Sequence, residues 1–347
     1  MRTAAVCIAA AVLFSCVFAV YCAPATSAAC ALLMDASTGR VLYDYNGSKQ
    51  SLIASTTKIM TGLLIAESCD LDAEVAVPDE ALLVEGSSMY LKQGEVLTVE
   101  ALLYGLMLHS GNDAAIALAM YHSGSVEAFV HKMNKKAYEL SLMNTHFENP
   151  HGLDSENHYS TAYDLAKLTA YALDNPVFYQ VVSTKTISIG ERTLTNHNRL
   201  LRQYDGAIGV KTGYTRAAGR ILVSAAERRG RRLICVTIHD PNDWKDHTAL
   251  LDYGFEHYTM HVISDPGQVM GRVPVLCGSE PAQAVLRDGI QIPLSDREQI
   301  EVIIHLPPLV FAPVFAGEPA GKVEVLIDGV YFREYPLYWR FSVLEAK

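Results

Sequence analysis

Ser55 and Lys58 stand three residues apart at the head of an apolar run, "SLIASTTKIMTGLLIAE", which begins at Ser51. On a helix that spacing puts a hydroxyl and an amine on one face, almost in contact. A lysine kept neutral by burial and by nearby positive charge can take the serine proton. The free N–H groups of a helix start can hold a developing oxyanion. S-x-x-K thus offers a nucleophile, a base and half an oxyanion hole within one turn. Alone, such a pair also arises by chance in many proteins.

Two further short stretches carry the same kind of chemistry. In "HSGNDAA", Ser110, Gly111 and Asn112 interrupt two apolar helical runs. Such a break is either a plain turn or a device that turns a proton-relaying hydroxyl and a carbonyl-gripping amide inward. In "IGVKTGYT", read as a strand, Lys211 and Gly213 point one way and Thr212 the other. Gly213 would then let a substrate backbone lie along the strand edge. Lys211, Thr212 and Thr215 can hold a terminal carboxylate.

S-x-x-K, S-G-N and K-T-G, in that order, resemble the motif set of the penicillin-recognising serine enzymes. The chain is most similar to their low-molecular-mass branch, the D-alanyl-D-alanine carboxypeptidases. "LLMDASTGRVLYDYN", "NPHGLDSENHYSTAYDLAKL" and "GKVEVLIDGVYFREYPL" resemble that branch as well, so the likeness runs over nearly the whole exported chain. "VKTGYT" with "HDPNDWKDHTALLDYGF" is similar to the Gram-positive, spore-former type. The resemblance implies an α/β (α+β) fold of the transpeptidase/β-lactamase-like kind, an antiparallel sheet flanked by helices, followed by a small all-β domain. It implies Ser55 as the acylated nucleophile and Lys58 as its base, with Ser110 and Lys211 relaying the proton. Asn112 would bind the substrate amide, and Thr212 and Thr215 the carboxylate. The oxyanion hole would be the N–H groups of Ser55 and Tyr214, beside Gly213. The implied partners are peptidoglycan stem peptides ending in D-Ala-D-Ala, and β-lactam antibiotics.

One departure stands out against that pattern. Asp243 falls where the resemblance implies an arginine for the substrate carboxylate, and Lys245 and Arg199 are the candidate replacements. A β-lactamase is the near rival, and it needs a deacylating base, for which Glu148 is the candidate. A cross-link endopeptidase and a non-catalytic sensor of wall peptides are the other readings. His239, Asp240, Asp243, Asp246 and His247 could pass for metal ligands. A capped loop before a helix at "TALLDYGFEHY" explains them without one, and the expected chemistry needs no metal or cofactor.

The elements that must position these residues follow from pattern. "ACALLMDASTGRVLYDYN" reads as a hairpin. Helical periodicity runs from Ser51 to Leu173, with Thr161 and Asp164 at capping-box spacing and a stop before Pro176. In "SVEAFVHKMNKKAYELSL", Phe129, Val130, Met133, Ala137 and Leu140 share a face. "GRILVSAAE" and "RRLICVTIHD" flank Arg228-Arg229-Gly230 and should pair antiparallel. Nine of the 14 prolines lie beyond Tyr258, where short strands take over, including Val323, Val325 and Ile327 before an Asp328-Gly329 turn. The expected division is a signal peptide over 1–28, a catalytic domain over 29–258 and a C-terminal β-sandwich over 259–347.

At 347 residues, with 50% hydrophobic and 19% charged, the chain can bury a sizeable core. Its net charge of −10 repels phosphates and argues against nucleic acid. Arg2, the apolar stretch from Ala4 to Tyr21 and small residues at Thr26 and Ala28 read as an export signal cut after Ala28. The expected location is the extracytoplasmic face of the envelope, or secreted. "YPLYWRFSVLEAK" is strand-like, so membrane contact is expected only if the N-terminal segment is retained. Of the seven cysteines, Cys7, Cys16 and Cys22 lie in that segment; Cys30, Cys69, Cys235 and Cys277 are scattered, with no zinc-knuckle spacing.

Overall fold

The computed structural model describes residues 23–346. Most of the expected leader, with Cys7, Cys16 and Cys22, lies outside the described residues. The first sheet opens with the expected hairpin, β1 (Cys30–Asp35) and β2 (Val41–Tyr45). Three later strands complete it: β3 (Ala207–Thr215), β4 (Gly219–Arg228) and β5 (Arg231–Ile238). All pairs are antiparallel, in the order β2-β1-β5-β4-β3. Between β4 and β5, Arg229 and Gly230 take φ of 51° and 75°, the left-handed pair whose twist suits a two-residue hairpin. β3, which carries Lys211-Thr212-Gly213, is one of the two outer strands, so one row of its backbone groups faces away from the sheet.

The segment between β2 and β3 forms most of the helices. α1 (Lys58–Ser68) is buried from Lys58 to Ile65, as a helix apolar on all sides must be. Around it lie α2 (Val99–Leu108), α3 (Asn112–Ser123), α4 (Val126–Glu139), α5 (Ala162–Ala172) and α6 (Pro176–Ser183). The hydroxyls of Thr98, Ser125 and Thr161 each accept the N–H three residues on, which starts α2, α4 and α5. Asn175 caps α6, with Pro176 in its first turn. α4 buries Phe129, Met133 and Ala137, while Val130 and Leu140 pack at the margin.

α7 spans Asp243–His257 and begins earlier than expected. "DWKDH", expected as loop, is its opening turns. Asp243 and Asp246 in the first turn face the positive end of the helix dipole, which favours helix there.

Beyond Tyr258 the chain builds a second sheet: β6 (Val269–Val273), β7 (Ala282–Val285), β8 (Ile300–His305), β9 (Pro319–Ile327) and β10 (Val330–Trp339), in the order β6-β7-β10-β9-β8. Val323, Val325 and Ile327 alternate into its own core, and Asp328-Gly329 turns with φ of 51° and 76°. Two short ribbons, Thr259–Ser264 with Ile290–Leu294 and Val275–Leu276 with Val310–Phe311, accompany it. Arg40, buried in the first hairpin, pairs with Glu298, and Arg333 donates to Thr38 O at 2.7 Å. Cys30, Cys69, Cys235 and Cys277 are free thiols. Among the described residues, no helix is long and apolar enough to cross a membrane.

Candidate active site

Ser55 lies on a single tight turn, Ala54–Thr57, that leads into α1. Ala54 has a φ of 43°, a left-handed conformation that a non-glycine residue adopts only when held. Thr56 Oγ1 donates to Ile53 O at 2.5 Å, and Thr57 Oγ1 donates to Ala54 O at 2.9 Å. Thr57 Oγ1 also meets His158 Nε2 at 2.7 Å, while His158 Nδ1 accepts from Glu148 N. That fixes the ring proton on Nε2. Burial pushes His158 down to about 4, so the ring is neutral. Gly152, in "NPHGLD", presses against this turn: with φ of +91° and a hypothetical Cβ 1.9 Å from Ala54 O, no other residue fits.

Lys58 is fully buried, and its Nζ meets Ser55 Oγ at 3.1 Å, Asn112 Oδ1 at 2.7 Å and His151 O at 2.6 Å. The Asn112 amide is oriented by Nδ2, which donates to Glu85 O at 2.6 Å, so Oδ1 must be the atom facing Lys58. Asn112 Oδ1 and His151 O can only accept. With the amine neutral, they would take both of its N–H bonds and leave its lone pair for the Ser55 hydroxyl. Burial first, then the charge of Lys211, pushes Lys58 well below the ordinary lysine range, with Asp113 pulling the other way.

Asp113 pins the loop that covers this centre: its carboxylate accepts from Ser88 Oγ at 2.6 Å and from the amides of Met89 and Leu91. Ser110, at the break between α2 and α3, is 4% exposed with φ of 60°. It opens onto the same cavity as Ser55, a cleft of about 570 Å³. Lys211 is 2% exposed, donates to Thr212 O at 3.0 Å, and is pushed by burial to about 7.

The three motifs therefore meet, and Gly213 shows how closely. A Cβ at Gly213 would sit 3.3 Å from Ser55 N and from Ala54 Cβ. A side chain there would crowd the turn that carries Ser55, so the glycine lets strand β3 pack closely against it. That places it nearer the chemistry than the substrate-edge role expected from sequence. Thr212, Gly213 and Tyr214 line the cleft.

Two expected contacts are different in the structure. Thr215 Oγ1 donates to Asp154 Oδ1 at 2.9 Å and accepts from Ala218 N at 3.0 Å, so it closes a turn and does not line the cleft. Asn112 spends its oxygen on Lys58 and one amide proton on Glu85 O, so in this structure it orients the Lys58 amine.

The far wall of the cleft carries Arg199, one of the two candidates from sequence, and Arg220, which carries no signal in the sequence. Arg220 opposes Tyr214 in the β3–β4 register. It forms a forked pair with Asp243, at 2.9 and 2.7 Å from Nη2 and 3.1 Å from Nε. Asp243 thus holds an arginine from a neighbouring strand at the position where an arginine was expected. Trp244 takes both Arg220 and Arg199 on its ring, each 5.9 Å from the centroid. Arg199 is exposed and lines the cleft; Lys245 is exposed and does not. Only tertiary structure shows the Arg220–Asp243 pair, because the two residues sit on different elements.

The remaining candidates have structural partners. The Glu148 carboxylate takes Ser155 Oγ and the Asn157 amide, and does not line the cleft. His247 is wedged between Ser224 Oγ at 2.6 Å and Thr237 Oγ1 at 2.9 Å. Among the described residues, no three His, Cys, Asp or Glu side chains group as a metal ion would require.

Known proteins resemble this chain over most of its length. A family model described as D-alanyl-D-alanine carboxypeptidase matches residues 19–242. The D-alanyl-D-alanine carboxypeptidase DacF of Bacillus subtilis is 36% identical over 329 residues, which cover 88% of this chain and 83% of that protein. DacD of Escherichia coli is 35% identical over 344 residues, 91% and 86% of the two chains. Among solved structures, penicillin binding protein 5 from Haemophilus influenzae is similar with a TM-score of 0.84 at 29% identity, over 93% of this chain and 99% of that one.

Proposed function

The chain belongs to the D-alanyl-D-alanine carboxypeptidase family, and from that premise we propose how its own residues carry the reaction. It is a serine-type D-Ala-D-Ala carboxypeptidase, removing the terminal D-alanine of peptidoglycan stem peptides. Ser55 Oγ attacks the carbonyl of the penultimate D-alanine, and its proton passes to Lys58 Nζ. The oxyanion is held by the N–H groups of Ser55 and Tyr214, which the close approach of Gly213 to Ser55 brings to one side of the cleft. As the tetrahedral adduct collapses, the C–N bond breaks. The amine of D-alanine leaves with a proton returned from Lys58 through Ser110, with Lys211 beside the path. Water then attacks the Ser55 ester, giving its proton to Lys58 and regenerating the hydroxyl.

The observation that carries this reading is the donor count at Lys58. In a neutral amine, two obligate acceptors consume both N–H bonds, which leaves the lone pair for Ser55. The terminal carboxylate is read by Thr212 and by the cationic wall of Arg199 and Arg220, in place of Thr215. β-Lactams acylate the same Ser55 and are released slowly. Glu148, tied within its own loop, supports carboxypeptidase over β-lactamase turnover. The leader composition supports export to the extracytoplasmic face of the envelope.

The test is D-alanine release from a peptide ending in Lys-D-Ala-D-Ala, run beside a chromogenic β-lactam. Catalytic release of D-alanine with a single, slow, stoichiometric acylation by the β-lactam is expected. Rapid β-lactam hydrolysis without D-alanine release would overturn the reading.

A further inference from the structure

Behind the arginine wall of the cleft, the chain ahead of β1 is docked onto the start of α7. Ser27 N donates to Asp246 Oδ2 at 2.6 Å; Ser27 Oγ lies 2.6 Å from Asp240 Oδ1 and 2.9 Å from Asp246 Oδ2. Ala28 is buried in the cluster that holds Leu250 and Leu251 of α7, and Ala29 N donates to Ile238 O at 3.1 Å. Asp240 is 0% and Asp246 7% exposed. Among the described residues neither carboxylate pairs with a lysine, arginine or histidine. Asp240 Oδ2 is buried with no hydrogen-bond partner, and so is Thr26 Oγ1. Two adjacent buried carboxylates without a cation are costly.

Cleavage after Ala28, the site expected from sequence, would discard Ser27 and uncover both acids. Three residues earlier, Ala23-Pro24-Ala25 also satisfies the small-x-small rule for export cleavage, and Ala25 is exposed. We propose that the leader is removed at the Ala25–Thr26 bond, and that the new N-terminus latches the first turn of α7 through Asp240 and Asp246. A signal peptidase adds water across that amide. The leader departs with the Ala25 carboxylate, and Thr26 gains an α-ammonium one residue from the acid pair. The latch supplies the missing positive charge and keeps Ser27 in place. It steadies the turn that carries Asp243 and Trp244, which hold Arg220 and Arg199 at the cleft. Burial, and then Asp246, hold Asp240 above its usual carboxylate range, a strain that a neighbouring ammonium relieves.

This inference rests on the export reading and is tested on the full chain expressed in a secreting host. Intact mass and N-terminal sequencing of the exported protein should show Thr26 first. Any other first residue, or an uncut chain, overturns the proposal. Brief periodate treatment cleaves an N-terminal amino alcohol such as threonine's and so removes the ammonium. It should lower the Tm by about 2–4 °C, and an unchanged Tm overturns the latch. D-alanine release from the same sample keeps the two readings separate. A protein that begins at Ala29 yet releases D-alanine sinks only the latch; one that begins at Thr26 yet releases none sinks only the enzyme assignment.

Discussion

The cleft has two cationic regions, and the protein treats their charges in opposite ways. At the floor, Lys58 and Lys211 are buried and, among the described residues, have no carboxylate in hydrogen-bond contact. At the far wall, Arg220 is 45% exposed and forked onto Asp243, and Arg199 stacks on Trp244 in solvent. A lysine ammonium loses its proton when burial makes charge costly, whereas a guanidinium keeps its charge. The floor therefore favours an uncharged amine and the wall a permanent cation, as the proposed base and carboxylate site require.

The sharpest way to break that contrast is at the floor. Ser55→Ala should cut D-alanine release more than about 1000-fold and abolish covalent labelling by penicillin, read by intact mass. Lys58→Met should lose activity on a similar scale while stability at neutral pH changes by less than about 2 kcal/mol, because removal of a buried ionisable group is offset by the acceptors Asn112 Oδ1 and His151 O left without a donor. Chemical denaturation checks this; a much larger loss would mean that the lysine serves the fold.

The two lysines also set a pH dependence whose sign is fixed. Both have folded values below the ordinary 10.5, so the unfolded chain binds more protons. Stability should rise with pH from about 7, the folded value of Lys211, toward 10.5. Acylation needs neutral Lys58 and should fall as pH drops through its folded value. Lys211→Gln removes the positive charge that helps depress Lys58, so its residual acylation should fall off at higher pH than in the parent. An acid limb that stays put would separate the two lysines.

Smaller effects sharpen the wall. Arg220→Gln should raise KM for the D-Ala-D-Ala peptide about tenfold, with kcat changed less, as expected for loss of one charge-assisted contact. Smallest of all, Thr215→Val should change KM less than about twofold, since that hydroxyl is spent on Asp154 and Ala218. A large loss there would restore the threonine to the carboxylate site.

What could be read in advance divides along the same line. S-x-x-K is a local spacing, and helix geometry alone puts Ser55 beside Lys58. The Thr161 cap, the Arg229-Gly230 hairpin and the alternation of Val323 and Val325 are likewise written within a few residues. The partners of Lys58 are not: His151 O and Asn112 Oδ1 come from distant segments, and one of them is a backbone carbonyl with no side-chain signature. Arg220 has no local signature, because its place as a cleft cation depends on Asp243, across a sheet-to-helix contact. The fate of Thr215 was hidden in the same way, since its turn is closed by Asp154 from another loop. "DWKDH" is ambiguous in sequence because its polar residues suit both a loop and the first turns of a helix.

The central claim is that Lys58 rests as a neutral amine poised on Ser55. It is tested most directly by following the Cε signal of 13C-labelled Lys58 through a pH titration, assigned by comparison with Lys58→Met. The account predicts a midpoint far below 10.5, with the amine uncharged through the working range. A Lys58 signal that stays that of an ammonium up to pH 10 or beyond would contradict it.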